Sequence, residues 1–199
     1  DYEISIVEIP LDVYNKKMVK GKFISEKQQS DSLTWVINKL EKEKKNSMFI
    51  RLKRMRIIQN SLSKLNKTKE VLSSHPEDRI LVFAGTINIA DNLGIPSYHS
   101  KSSEKKLFQE FAEGKGNHMA VIKIGNTGVN YVPLDRVIIN YFSSSSEDLT
   151  QRILRCMSLE YNNPEKIAKI VLITSTEETE KLWLSKAISM FNPEKIKYL

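Results

Sequence analysis

Four largely apolar runs between residues 80 and 173, ILVF at 80–83, MAVIKI at 119–124, RVII at 136–139 and IAKIVLI at 167–173, are separated by stretches of helical periodicity. This alternation limits the fold more than any other feature. A short unbroken run of β-forming residues suits a strand buried on both faces. Strands alternating with helices imply βαβ units and a parallel sheet clad on both sides. The intervening segments fit that pattern. Residues 88–94 read as a helix ended by Gly94, 95–100 as a short strand, 103–114 as an amphipathic helix between a Ser103 cap and Gly114, and 146–161 and 176–191 as helices.

The first half has a different texture. DYEISIVEI alternates Tyr2, Ile4 and Ile6 before Pro10, as an edge or terminal strand does. Residues 11–27 are polar and lysine-rich, which suits a loop or a short helix. Ser30 is an N-cap candidate for a helix carrying Leu33, Trp35, Val36, Ile37 and Leu40. A second helix is predicted over 47–72, where Phe49, Leu52, Met55, Ile58, Leu62, Leu65 and Val71 recur at three- and four-residue steps. The expected division is a basic N-terminal or linker segment, 1–69, followed by an α/β domain, 70–199.

The charge is as uneven as the texture. Residues 16–72 hold 16 Lys/Arg against 5 Asp/Glu, a local excess of +11 in a chain whose net charge is +7. That is the footprint of a phosphate-backbone binder, or else a solvated lysine-rich face. The single cysteine, Cys156, cannot pair internally, and His75, His99 and His118 lack metal-ligand spacing, so neither a disulfide framework nor a metal site is expected. No apolar run reaches the roughly 20 residues of a membrane helix, and the N-terminus lacks the order of a secretion signal. A reduced, cytoplasmic setting without a membrane partner is expected. The chain opens on Asp1 rather than Met, as a fragment would.

Neither G-x-G-x-x-G nor G-x-x-x-x-G-K-[ST] occurs, so no complete phosphate loop is encoded. In an open parallel sheet ligands sit at the carboxyl ends of the strands. There the chain reads AGT, GNTGVN and SSSSEDLTQRILR. Taken in order, ILVFAGTINIADNL, the stretch from YHSKSS through GNTGVN to VIIN, and EDLTQRILRCM resemble motifs IV, V and VI of the second RecA-like (C-terminal helicase) domain of superfamily 2 helicases and translocases. The resemblance covers roughly 120 residues and is nearest in flavour to the group containing phage branched-DNA helicases and restriction-enzyme motor subunits. Its specificity lies in order and spacing rather than in any single motif.

The resemblance implies a RecA-like parallel sheet with helices on both faces, preceded by a largely helical basic segment, and half of an ATP-driven motor on nucleic acid, DNA before RNA. ATP and magnesium would be held mainly by a first RecA-like domain in cis that is absent from these residues, so the chain alone is expected to be inactive. Arg155 keeps the place of the arginine that reaches the γ-phosphate, a role for which its fork of donors is suited. It also reads as an ordinary surface arginine. Gly128, Asn130 and Gln151 would face the nucleotide, and Thr86, Ser100, Lys101 and Thr127 the nucleic-acid backbone, joined by Arg51, Lys53, Arg54 and Arg56 of the basic segment. Singly, Thr86 and Ser100 also suit helix caps or loop residues, and Gly128 a tight turn. Leu154 and Ser158 stand where motif VI carries Gly and a second Arg. They favour the rival reading, a non-catalytic nucleic-acid or protein-interaction module with a decayed helicase fold. Phe108, Phe111, Trp35 and Trp183 read as packing residues.

Overall fold

The computed structural model describes residues 1–101, 105–122, 133–143, 145–156 and 165–199, with side chains except those of 146, 155 and 156. In chain order the elements are β1 (Tyr2–Ile9), β2 (Lys17–Val19), β3 (Lys22–Ile24), α1 (Glu26–Lys42), α2 (Met48–Gln59), α3 (Leu62–Ser74), β4 (Ile80–Phe83), α4 (Ile87–Asn92), β5 (Ser97–Tyr98), α5 (Lys105–Ala112), β6 (His118–Val121), β7 (Arg136–Ile139), α6 (Ser146–Cys156), β8 (Ala168–Ser175), α7 (Glu178–Ile188) and β9 (Ile196–Tyr198).

The unbroken apolar runs are explained by burial on two sides. All four residues of β4 and of β7 are buried. Successive side chains of a strand point to opposite faces. Leu81 and Phe83 therefore enter one core with Phe108, Phe111, Leu149, Ile153 and Leu184, while Ile80 and Val82 enter the other with Leu65, Leu72, Ile89 and Leu93. Helices α5, α6 and α7 cover the first face and α3 and α4 the second. The burial of Phe108 and Phe111 agrees with their reading as packing residues. Trp183 packs against the first core, but Trp35 is 66% exposed and is not a packing residue.

The sheet has seven strands in the order β5-β6-β4-β7-β8-β1-β9, every pairing parallel. The leading segment therefore does not stand apart from the sheet. All eight residues of β1 pair with β8, from Tyr2 opposite Ala168 to Ile9 opposite Ser175, and β9 closes its other side.

Three further elements differ from expectation for identifiable reasons. Residues 17–24 form a hairpin, β2–β3, because Lys20 (φ 49°) and Gly21 (φ 76°) both adopt the left-handed conformation of a two-residue turn. Helix α1 starts at Glu26 rather than after Ser30. Ser25 and Gln28 form a capping box, the Ser25 hydroxyl accepting from the Gln28 amide at 3.2 Å and Gln28 Oε1 from the Ser25 amide at 3.0 Å. The helix expected over 47–72 is two helices. The Glu26 carboxylate accepts from the Leu62 amide at 3.0 Å and caps α3 from 36 residues away, which restarts the helix there.

At the carboxyl end of the sheet a buried ion pair joins α3 to α7. Lys64 Nζ lies 2.8 Å from Glu180 Oε1, with the two side chains 1% and 2% exposed. Glu180 Oε2 also accepts from the Ser175 amide at 2.7 Å, at the end of β8. Burial pulls the Lys64 ammonium below the ordinary lysine range, against the pull of Glu180. Removing one partner of such a pair leaves an uncompensated charge, whereas removing both does not. Glu180→Gln is expected to cost about 3–5 kcal/mol, read as a fall in the denaturant midpoint. Adding Lys64→Met should recover a large part of that loss, and no recovery would mean that charge is not what holds the contact.

A second constraint at this edge is steric. A β-carbon on Gly85 would lie 2.7 Å from Tyr141 Cβ. Gly85→Ala is expected to destabilise by about 1–3 kcal/mol through overpacking, measured by thermal unfolding, and an unchanged melting temperature would refute the close approach.

Candidate nucleotide and nucleic-acid cleft

The apolar residues of a two-sided sheet leave its strand ends as the place where polar side chains collect. Beyond β4 the chain gives Gly85 and Thr86, and beyond β7 it gives Tyr141 and Ser143. These line a cleft of about 1170 Å³ whose remaining walls come from α2, α6 and α7.

Helix α2 is held in place as one wall by side chains that reach across the chain. Arg54 donates to Thr34 Oγ1 of α1 at 2.9 Å and to Thr179 Oγ1 of α7. Ser30 Oγ donates to Glu177 Oε2 at 3.0 Å, fastening α1 to the residue just before α7. At the junction of α2 and α3, Asn60 Oδ1 accepts from the Thr86 hydroxyl at 2.6 Å. The helical hairpin and the sheet thus share one set of anchors.

The floor is an aromatic and cationic stack. Tyr141 and Arg152 are both buried, and the Arg152 guanidinium lies 4.3 Å from the centre of the Tyr141 ring and 5.8 Å from that of Phe83. Its carboxylate partner is Asp148, one turn earlier on α6, at 3.9 Å. Burial raises the Tyr141 hydroxyl above its ordinary range, and the neighbouring guanidinium opposes this. The guanidinium is hydrogen-bonded to the Tyr141 hydroxyl while its charge is answered only at 3.9 Å, which suits an anion arriving from the cleft.

The residues expected from sequence are distributed unevenly. Thr86 lines the cleft, but its hydroxyl is committed: it accepts from the Ile89 amide at 3.3 Å as the cap of α4 and donates to Asn60. Arg56 and Gln151 also line it, and both are exposed. Arg51 and Arg54 line it with their donors engaged, Arg51 by Glu41 and Ser47 and Arg54 by the two threonines. Lys53 is exposed and does not line it. Ser100 and Lys101 do not join it, since they follow β5, the edge strand, two places from β4. There the Lys101 amide donates to His99 Nδ1 at 3.2 Å, and His99 Nε2 meets Asp91 at 3.0 Å. Arg155 lies on α6 by its backbone, and its side chain is outside the description. Thr127, Gly128, Asn130 and Ser158 also lie outside the described residues.

Sequence reasoning passed over Arg152 and Tyr141. The signal for Arg152 was present, because it shares a helical stripe with Leu149 and Ile153, both buried. An arginine within an apolar stripe needs a partner at the protein's interior edge.

Residues 63–160 match the family model described as the helicase conserved C-terminal domain. No curated protein matches the sequence of the chain. Among solved structures, the C-terminal domain of the DEAD-box protein Dbp5 superposes with a TM-score of 0.55 at 13% identity, over 70% of this chain and 84% of that one. A DEAD-box protein of Methanococcus jannaschii gives 0.51 at 21% identity, over 68% of this chain and 38% of that one. The Mycobacterium smegmatis helicase Lhr, solved with single-stranded DNA and AMP-PNP, gives 0.52 at 12% identity, over 94% of this chain and 21% of that one. Each is a likeness of fold, and the chain spans well under half of the two longer proteins. Residues 63–160 thus match the helicase conserved C-terminal domain in sequence, and the chain shares the fold of the Dbp5 C-terminal domain.

Proposed function

We propose that this chain is the C-terminal half of an ATP-dependent nucleic-acid helicase or translocase, contributing one side of an ATP site whose other side belongs to a first RecA-like domain. The observation that carries this reading is the cleft. Gln151 of α6 lines it together with Thr86 and Arg56, at the carboxyl edge of the sheet and beside a segment of the helicase C-terminal family. Ligands of open parallel sheets bind at that edge.

The division of labour follows from what the chain carries. It has no phosphate loop, and among the described residues no cluster of three His, Cys, Asp or Glu could hold a metal. ATP and magnesium would therefore be gripped from the other domain, with ATP supplying the phosphoryl group for hydrolysis. From this side Arg155, one turn beyond Gln151, would donate its fork to the γ-phosphate. Thr127, Gly128 and Asn130 would line the same junction, with Ser100 and Lys101 on the nucleic-acid backbone. Closure of two domains would assemble such a site and exclude water from it. The Lhr structure was solved with single-stranded DNA, and one of Dbp5 with RNA. For this chain we take DNA as the track and the cytoplasm as the setting.

A second reading, a non-catalytic module on the same fold, is favoured by Leu154. It stands where the family's motif VI carries glycine, and it is 51% exposed.

Two measurements test the proposal. The chain alone should bind single-stranded DNA without sequence preference at ~50 mM salt, and the affinity should fall steeply as salt rises because phosphate contacts release counterions. Absence of binding at low salt would reject a nucleic-acid role. In a protein that includes the first domain, Arg155→Lys keeps the charge and loses the fork. Nucleic-acid-stimulated ATP turnover should then fall by about two or more orders of magnitude, with DNA affinity within a few fold. Intact turnover would remove Arg155 from the site, and no turnover in the parent protein would favour the non-catalytic module.

A further inference from the structure

We infer that the α2 wall of the cleft, as distinct from the α6 wall that the proposed function gives to the nucleotide, receives an unpaired nucleic-acid strand base-first, its bases lying against Met48 and Leu52 and its phosphates meeting Arg56. This rests on the nucleic-acid reading above and adds to it a base-contacting site apart from the backbone contacts assigned to the strand-end loops.

Helix α2 is the first part of the case. A surface helix ordinarily turns an apolar stripe to the core. Here Ile58 is the only buried residue of the helix. Met48 and Leu52, one turn apart on one face, are 60% and 38% exposed, and both line the cleft. Helix α2 lies along α1 with Ile50, Met55 and Ile57 half-buried, and Met48 and Leu52 are left to the cleft.

Charge states what could lie against that face. Of the cations lining the cleft, Arg51 is answered by Glu41, Arg54 meets only hydroxyl groups, and Arg56 has no ion pair or hydrogen bond from its side chain among the described residues. Arg152 has Asp148 at 3.9 Å. Against these stand two acids, Asp148 and Glu180, and Glu180 is already neutralised by Lys64. The balance favours an anion. Ser143 also lines the cleft, and its buried hydroxyl has no partner among the described residues.

Chemistry and size narrow the occupant. Apolar side chains and the half-buried Trp183, interleaved with guanidinium groups, match the alternation of bases and phosphates. Stacking on such surfaces tolerates any sequence. A space of about 1170 Å³ exceeds the usual ~300–1000 Å³ of a small-molecule site, which leaves room along α2 beside a nucleotide at α6.

The test uses the full 199-residue chain and three probes: a 12-nucleotide oligo(dT), a fully abasic strand with the same number of phosphates, and a 12-residue polyglutamate peptide. The chain has two tryptophans, so a Trp35→Phe background leaves Trp183, in the cleft wall, as the sole reporter. Oligo(dT) is expected to bind about tenfold more tightly than the abasic strand and alone to perturb Trp183 fluorescence. Met48→Ser with Leu52→Ser should abolish most of that preference while leaving abasic binding and the salt slope unchanged. Arg56→Gln should weaken both strands and lower the salt slope by about one. Circular dichroism and the melting temperature confirm that each variant folds, and the Trp183 signal tests the site without altering it. Equal affinity for oligo(dT) and the abasic strand, or a silent Trp183 on binding, overturns the base-first contact and leaves the nucleic-acid reading standing. Polyglutamate that binds as tightly and perturbs Trp183 overturns it in favour of an acidic protein partner. Failure to bind either strand overturns both.

Discussion

The contact between Lys64 and Glu180 is the constraint on which the functional edge of this molecule depends. Withdrawing two opposite charges from water costs several kcal/mol for each, and only close, fully bonded geometry offsets it. Helices α3 and α7 therefore have one mutual register, fixed also to the end of β8 through the Ser175 amide. The start of α7 is in turn the anchorage of the helical hairpin, through Glu177 to Ser30 and Thr179 to Arg54. The wall formed by α2 stands where it does because a buried charge pair beneath it permits no other arrangement.

The sheet was legible in the sequence because two-sided burial leaves its mark on composition: β4 is apolar throughout, β7 is apolar after Arg136, and β8 is apolar from Ile170 to Ile173. The membership of β1 in that sheet was not legible. The alternation of Tyr2, Ile4 and Ile6 identifies a strand, but its partner lies more than 160 residues away, and no local pattern encodes a distant pairing. The break between α2 and α3 was hidden for the same reason. Apolar spacing runs on through residues 60–62, and what interrupts it is a carboxylate from Glu26. The start of α1 is a different kind of miss, since the Ser25-x-x-Gln28 capping box is itself a local sequence signal.

The candidate site shows how far residue type falls short of residue role. The lysine and arginine count of residues 16–72 suggested a free basic surface, yet the structure spends part of it internally. Lys64 is buried, Arg51 is paired and Arg54 serves as a strut. Thr86 is a capping residue, as its position just before a helix allowed. Arg152 escaped notice because a motif comparison weighs fixed positions and not faces. The helical stripe that includes Leu149 and Ile153 was the physical signal.

The placement of β1 also determines how the domain can be joined to others. All seven strands run the same way, so Asp1 lies at the amino edge of the sheet, whereas Leu199, just past β9, lies toward the carboxyl edge, where its amide donates to Ile6 O at 2.9 Å. The eight residues of β1 separate the two edges by roughly 26 Å at about 3.3 Å per residue. A polypeptide attached ahead of Asp1 emerges on the side opposite the cleft and must travel back that distance before it can reach the opening. One attached after Leu199 emerges on the side of the cleft. The reach of an upstream connector is accordingly set by the length of a strand, and a connector shorter than about eight extended residues would hold its cargo away from the opening.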